Sequence, residues 1–213
     1  MKIKFKKYWT KTSFKNIEDG VYLLNHISQL KPKNLLEVGV FHGVTSRNIC
    51  ELLYSIHGNG FKFTGIDLFE KNTKNIEDEV PPNTNFSNPL KTIYYNYIER
   101  LDPYTHESVL KLLKKFKINI NIIKGNSNEI LKEINVGVFD YVFLDGGHKY
   151  ETVKNDLNNL TNVIKHNGVI VCDDYNLNYA PGVKKAINEY VSNNNFELKI
   201  LRSRFAEIKD KIK

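Results

Sequence analysis

Asn34-Leu35-Leu36-Glu37-Val38-Gly39-Val40-Phe41-His42-Gly43 is a short apolar run that ends on an acid and a glycine, then turns through a second glycine. Val44 to Ile56 follows as a helix that Gly58 and Gly60 terminate, and Phe61 to Asp67 is a second apolar run that again finishes on an acid. Strands buried on both faces read as near-continuous apolar runs. Strand, helix and strand with acids at the strand ends predict a doubly wound α/β sheet.

The same rhythm extends in both directions. Upstream, Val21, Leu24, Ile27 and Leu30 recur every three residues and predict a helix from about Ile17 to Leu30, stopped by Pro32. Residues 1–15 form a basic arm with Phe5, Tyr8, Trp9 and Phe14 in it, of the kind that packs over a site or a neighbour. Downstream, residues 70–104 carry Pro81-Pro82, Pro89, Pro103 and the tyrosines Tyr94, Tyr95 and Tyr97. That segment is too long for an ordinary connection and reads as an excursion above the sheet, a lid or substrate wall, with an irregular surface loop as the equal alternative.

Alternation then resumes: a helix over 105–116, a strand over 118–123, the turn Gly125-Asn126-Ser127 and a short helix to Ile134. Phe139 to Asp145 is another strand and leads into Gly146-Gly147-His148; a helix over 151–164 and a strand over 168–172 follow, feeding Asp173-Asp174. Pro181 opens a helix to about Val191, and two runs, 196–201 and 205–208, joined through Arg202-Ser203-Arg204, read as a closing hairpin. One domain over 1–213 accounts for all of it.

In an open α/β sheet ligands bind beyond the carboxyl ends of the strands, where strand order reverses. There Gly39 allows a tight turn, Gly43 allows close backbone approach, and the helix beginning Val44-Thr45-Ser46 presents free N–H groups to an anion. Val40 completes the turn; Leu68 follows Asp67 at the next strand end. A dinucleotide fingerprint would need glycine where Phe41 and Val44 stand, and two acids beside the turn would repel a pyrophosphate. A cofactor with one carboxylate, one ammonium and a ribose diol suits the turn better, and S-adenosylmethionine has all three: carboxylate to the helix, ammonium to Glu37, ribose hydroxyls to Asp67.

Glu37-Val-Gly-Val-Phe-His-Gly43 followed by Gly-Ile-Asp67-Leu68 resembles the first two motifs of class I S-adenosylmethionine-dependent methyltransferases. Gly125-Asn126-Ser127 is similar to their third, which contacts adenine, with Asn126 where an aspartate is common. The resemblance covers residues 34–210 and implies a Rossmann-like, seven-stranded, mostly parallel sheet with an antiparallel last strand and helices on both faces. Asp145, Asp173 and Asp174 end two strands, and three converging carboxylates call for a cation; hard oxygen ligands suit Mg²⁺. His148 has the pKa range of a general base. Asp145-Gly146-Gly147-His148-Lys149-Tyr150-Glu151 resembles the signature of the macrocin and mycinamicin sugar O-methyltransferases, and more distantly the catechol type. That resemblance implies a divalent metal on Asp145, Asp173 and Asp174, His148 as base, and a small-molecule hydroxyl acceptor such as a sugar or glycoside.

A formal charge of +7 invites an RNA methyltransferase as the alternative, but the chain has no aromatic-flanked Asn/Asp-Pro-Pro-Tyr motif and no RNA-binding module. A non-catalytic S-adenosylmethionine-binding protein would have no need of three clustered acids and His148; a nicotinamide dehydrogenase is more distant still. The two cysteines, Cys50 and Cys172, lie in apolar runs and suggest buried thiols of a reducing, cytoplasmic compartment. No run reaches the length of a membrane span. Monomer and homo-oligomer are both open.

Overall fold

The computed structural model describes residues 2–70, 84–202 and 204–211, so that Pro81-Pro82 lies outside the described residues. Seven strands form one sheet: β1 (Asn34–Val38), β2 (Lys62–Asp67), β3 (Ile120–Lys124), β4 (Phe139–Leu144), β5 (Ile164–Cys172), β6 (Phe196–Leu201) and β7 (Phe205–Asp210). Their order is β3-β2-β1-β4-β5-β7-β6, parallel from β3 to β5, with β7 antiparallel to both of its neighbours. This is the expected doubly wound topology. Strand order reverses between β1 and β4, which pair in register from Leu35 opposite Tyr141 to Val38 opposite Leu144.

Successive side chains of a strand point to opposite faces, so each apolar strand feeds two cores. Leu35, Phe63, Tyr141 and Phe143 pack beneath α1 (Ile17–Leu30) and α2 (Val44–His57). Leu36, Val142, Leu144 and Ile170 pack on the other side, against α6 (Tyr150–Val163) and α7 (Pro181–Asn193). Between these lie three short helices, α3 (Pro89–Ile93), α4 (His106–Leu112) and α5 (Ser127–Glu133). Cys50 and Cys172 are buried free thiols, and no helix among the described residues is long and apolar enough to cross a membrane.

Two elements differ from their predicted extents by more than two residues. The helix expected over 105–116 ends at Leu112, and a 3₁₀ turn, Lys114–Phe116, finishes the segment by tucking Phe116 into the core. β5 begins at Ile164 rather than Gly168, through the polar Lys165-His166-Asn167. That polar stretch is accommodated at the sheet's lower end, where Lys165 Nζ meets Asp140 Oδ1 at 2.6 Å and the Asn167 N–H donates to Asp210 Oδ2 at 3.0 Å.

The N-terminal arm is part of the core. Phe5 and Phe14 are buried and meet edge to face at 5.5 Å, and Phe14 also contacts Phe143 and Phe205. The Lys6 N–H donates to Asn48 Oδ1 at 2.8 Å, while Asn48 Nδ2 donates back to the Lys6 carbonyl at 3.0 Å. The arm in turn holds the 84–99 segment: Lys91 Nζ donates to the Thr10 carbonyl and the Tyr95 hydroxyl to the Trp9 carbonyl. Gly20 makes this docking fit, because a Cβ there would lie 2.4 Å from Cδ2 of Phe5. Gly20→Ala gains about 1 kcal/mol of helix propensity, yet displacing Phe5 forfeits about 1.5–3 kcal/mol of burial. The expected result is a Tm lower by a few degrees and faster proteolysis of the arm; a variant as stable as wild type would show that Phe5 does not press on α1.

Candidate active site

A cavity of about 380 Å³ opens over the carboxyl ends of five adjacent strands. Its floor and walls include Val38 and Gly39 after β1, Ile66 and Asp67 at β2, Gly125 and Asn126 after β3, Asp145 to His148 after β4, and Asp174 after β5. It therefore sits astride the reversal between β1 and β4, where such sheets bind ligands. Its volume lies in the range of small-molecule sites.

Gly39 shapes the centre of this cavity. Its φ is +93°, and a Cβ there would stand 2.0 Å from the carbonyl oxygen of Asp145. The two strand ends are stitched on either side, Gly39 N–H to Ile66 O at 2.9 Å and Asp145 N–H to Val38 O at 2.8 Å. On one flank Asp67 accepts the Phe41 N–H at 2.7 Å, the Phe69 N–H at 2.9 Å and the Tyr104 hydroxyl at 3.0 Å. Phe41 and Phe69 both adopt left-handed backbone, φ 53° and 50°, a conformation that costs about 1 kcal/mol or more at each. Burial raises the Asp67 carboxyl above its ordinary pKa, and these three donors pull it back. Asn126 caps α5 by accepting the Asn128 N–H, and the Ser127 hydroxyl donates to Asp156 on α6 at 2.6 Å.

Of the predicted residues, Gly39, Asp67, Leu68, Asn126, Ser127, Asp145, His148 and Asp174 line the cavity. Glu37, Val40, Thr45 and Ser46 lie behind its wall instead, all buried. Glu37 points beneath α2, where the Ser46 hydroxyl donates to Oε2 and Oε1 has no partner among the described residues. Burial, opposed by that one hydrogen bond, pushes its carboxyl up to about 8. Gly43 is the left-handed N-cap of α2 and packs on Val109 and Leu112 of α4, so its missing side chain serves helix packing.

On the opposite flank the expected acids do come together, with a cation already among them. Arg204, at the start of β7, grips Asp173 through Nε and, at 2.7 Å, Nη2. Its Nη2 also lies 3.1 Å from Asp174 Oδ1. The Tyr179 hydroxyl donates to the same Oδ1 at 3.0 Å, and His148 Nε2 meets Oδ2 at 2.8 Å. Asp174 has φ 59° and its N–H is held by Asp173 Oδ1 at 2.7 Å. Burial pushes Asp145 well above the carboxylate range, the charges of Asp173 and Asp174 add to this, and Arg204 opposes it. Burial likewise raises Asp173, to about 6, against the pull of Arg204. Burial would raise Asp174 too, but the His148 hydrogen bond and the Arg204 charge outweigh it and hold the carboxyl below its usual value.

A divalent metal does not fit this donor set. All four carboxylate oxygens of Asp173 and Asp174 already have protein partners, and a guanidinium holds the central position. Among the described residues no group of three or more His, Cys, Asp or Glu is arranged to hold a metal ion. Sequence reading missed Arg204, which looked like one more charge in a basic hairpin, and also Ser13, Tyr104 and Tyr179 in the cavity wall. Tyr179, five residues past Asp174, is the one that its spacing could have suggested.

Comparison with known proteins gives a consistent result. Over 95 residues the chain is 35% identical to the uncharacterized protein R132 of Acanthamoeba polyphaga mimivirus, a match covering 40% of this chain and 42% of that protein. The chain thus spans less than half the length of this curated relative. Among solved structures it is similar to SAH-bound methyltransferase PaMTH1 of Podospora anserina, with TM-score 0.60, 16% identity, and 93% of this chain and 80% of that one covered. It is also similar to the O-methyltransferase NovP, with TM-score 0.62, 17% identity and coverage of 90% and 81%. The O-methyltransferase of Bacillus cereus in complex with SAH matches with TM-score 0.62, 10% identity and coverage of 94% and 84%. These likenesses concern the fold. Residues 36–175, more than half of the chain, match the family model described as the methyltransferase domain, and the chain belongs to that family.

Proposed function

We propose that this protein is an S-adenosylmethionine-dependent O-methyltransferase whose acceptor is a small molecule bearing a hydroxyl group. The observation that carries the reading is one cavity with Asp67 on one flank and His148, paired to Asp174, on the other, centred on the Gly39 close approach. The side-chain-free turn at Gly39 lines the cavity at the β1 end, which suits a cofactor lying across it, and Asp67 is held where ribose hydroxyls would reach it.

S-adenosylmethionine supplies an electrophilic methyl carbon on a positively charged sulfur. With His148 Nε2–H donating to Asp174, the basic lone pair of the imidazole is on Nδ1. His148 takes the acceptor's hydroxyl proton as the oxygen bonds to the methyl carbon and the C–S bonding pair passes to sulfur. Asp174 fixes the tautomer and stabilises the imidazolium that forms. No step runs through a divalent metal, because Asp173 and Asp174 are already engaged with Arg204, Tyr179 and His148. Tyr104 lines the cavity on the Asp67 flank, and the arm reaches the cavity through Ser13.

Asp67→Ala should weaken S-adenosylmethionine binding about tenfold or more, as expected for loss of a hydrogen bond to a charged acceptor. Titration calorimetry checks this, and binding of NAD in place of S-adenosylmethionine would overturn the cofactor assignment. His148→Ala should cut kcat by about 10²–10⁴ while leaving cofactor affinity unchanged. Turnover against a panel of hydroxylated acceptors, read as SAH release, measures it; a near-normal rate would remove His148 from the proton transfer.

A further inference from the structure

The structure assigns to Arg204 the place that a divalent cation would hold: we infer that its guanidinium balances Asp173 and Asp174 and presents positive charge to the acceptor oxygen, so that methyl transfer needs no metal. This rests on the methyl-transfer reading above. Three features support it. Arg204 and both acids are largely removed from water, with side-chain exposures of 12%, 1% and 5%, so charge must be balanced locally. The contact to Asp173 is two-pronged, Nε to Oδ1 and Nη2 to Oδ2, the geometry that fixes a guanidinium plane. Arg204 also lines the cavity, together with Asp145, His148 and Tyr179, and its Nη1 has no partner among the described residues. Two N–H donors are therefore unspent on a side chain that borders the site of reaction.

The position of the guanidinium is fixed from below as well. Its carbon stands 5.1 Å from the centre of the Phe14 ring, and Phe14 is anchored on Phe143 and Phe205. Oxygen-ligand metals need lone pairs that are not committed elsewhere. On Asp173 and Asp174 every carboxylate oxygen already meets Arg204, Tyr179, His148 or the Asp174 N–H. An arginine also differs from Mg²⁺ in what it accepts. It offers hydrogen bonds in one plane to a single oxygen or an anionic group, whereas a metal chelates two neighbouring oxygens. The acceptor class then widens from vicinal oxygen pairs to lone hydroxyls next to an anionic or carbonyl group.

The test uses the full chain. Wild-type protein dialysed against EDTA should give no binding heat with MgCl₂ or MnCl₂, keep its Tm in either salt, and transfer methyl groups as fast in chelator as in Mg²⁺. Arg204→Met should lower kcat by about 10²-fold or more without weakening S-adenosylmethionine binding, and Arg204→Lys should restore part of the loss. With the cation gone and the acids exposed to each other, Arg204→Met should also gain a Tm that rises with added Mg²⁺, while the loss of kcat at unchanged cofactor affinity separates a role at the acceptor from a merely structural one. Stoichiometric Mg²⁺ or Mn²⁺ binding to wild type, or activity lost in EDTA and regained with metal, would overturn the assignment. If Arg204→Met does not fold, the wild-type titration decides alone. If wild type fails to bind S-adenosylmethionine, the methyl-transfer reading falls, while the metal titration still tests which cation the acids hold.

Discussion

The close approach of Gly39 to the carbonyl of Asp145 is the constraint on which the site depends. Two parallel strand ends meet there with no room for even a methyl group. Because β1 and β4 lie at the reversal of strand order, the helices that follow them leave on opposite faces and open a crevice between. Asp67 and Phe41 are aligned from one side of that meeting point, and Asp145 to His148 from the other. Any residue other than glycine would push the two halves apart at their common edge.

Charge is handled differently on the two sides of this edge. Asp67 is stabilised by two backbone N–H groups and a tyrosine hydroxyl, donors that bring no formal charge and leave the loop bent into left-handed turns. Asp173 and Asp174 are stabilised by a full opposite charge in Arg204. Glu37 has only the Ser46 hydroxyl and is pushed toward the protonated form. These four buried acids differ in state, and Asp173 and Asp174 differ from each other: burial still raises Asp173, while His148 and Arg204 together hold Asp174 low. A carboxylate out of water stays ionised only in proportion to the donors that replace the water.

The fold was legible because buried parallel strands announce themselves twice, as apolar runs and as acids at their ends. Leu35 to Glu37, Phe63 to Asp67 and Phe139 to Asp145 all carry this pattern. β5 carries it only from Gly168, since Lys165, His166 and Asn167 pair through tertiary contacts that no local pattern records. Within the site, residues in sequence with a strand end were found: Asp67, Asp145, His148 and Asp174. Those brought in by long-range folding were not. Ser13 comes from an arm whose aromatics gave no direction, and Arg204 from a hairpin whose turn looked merely basic. Glu37 shows the converse case: its position at a strand end suggested a ligand contact, and the alternation of side chains places it under α2, hydrogen-bonded to Ser46.

Arg204 follows Asp145, Asp173 and Asp174 along the chain, and that order bears on how the protein is made. A ribosome delivers all three acids before their counter-ion, and domains begin to organise as the chain emerges. Asp173 and Asp174 have their counter-ion only once the β6–β7 hairpin is in place, and like charges resist being brought together. Docking of β7 therefore both completes the sheet and relieves that repulsion in one event.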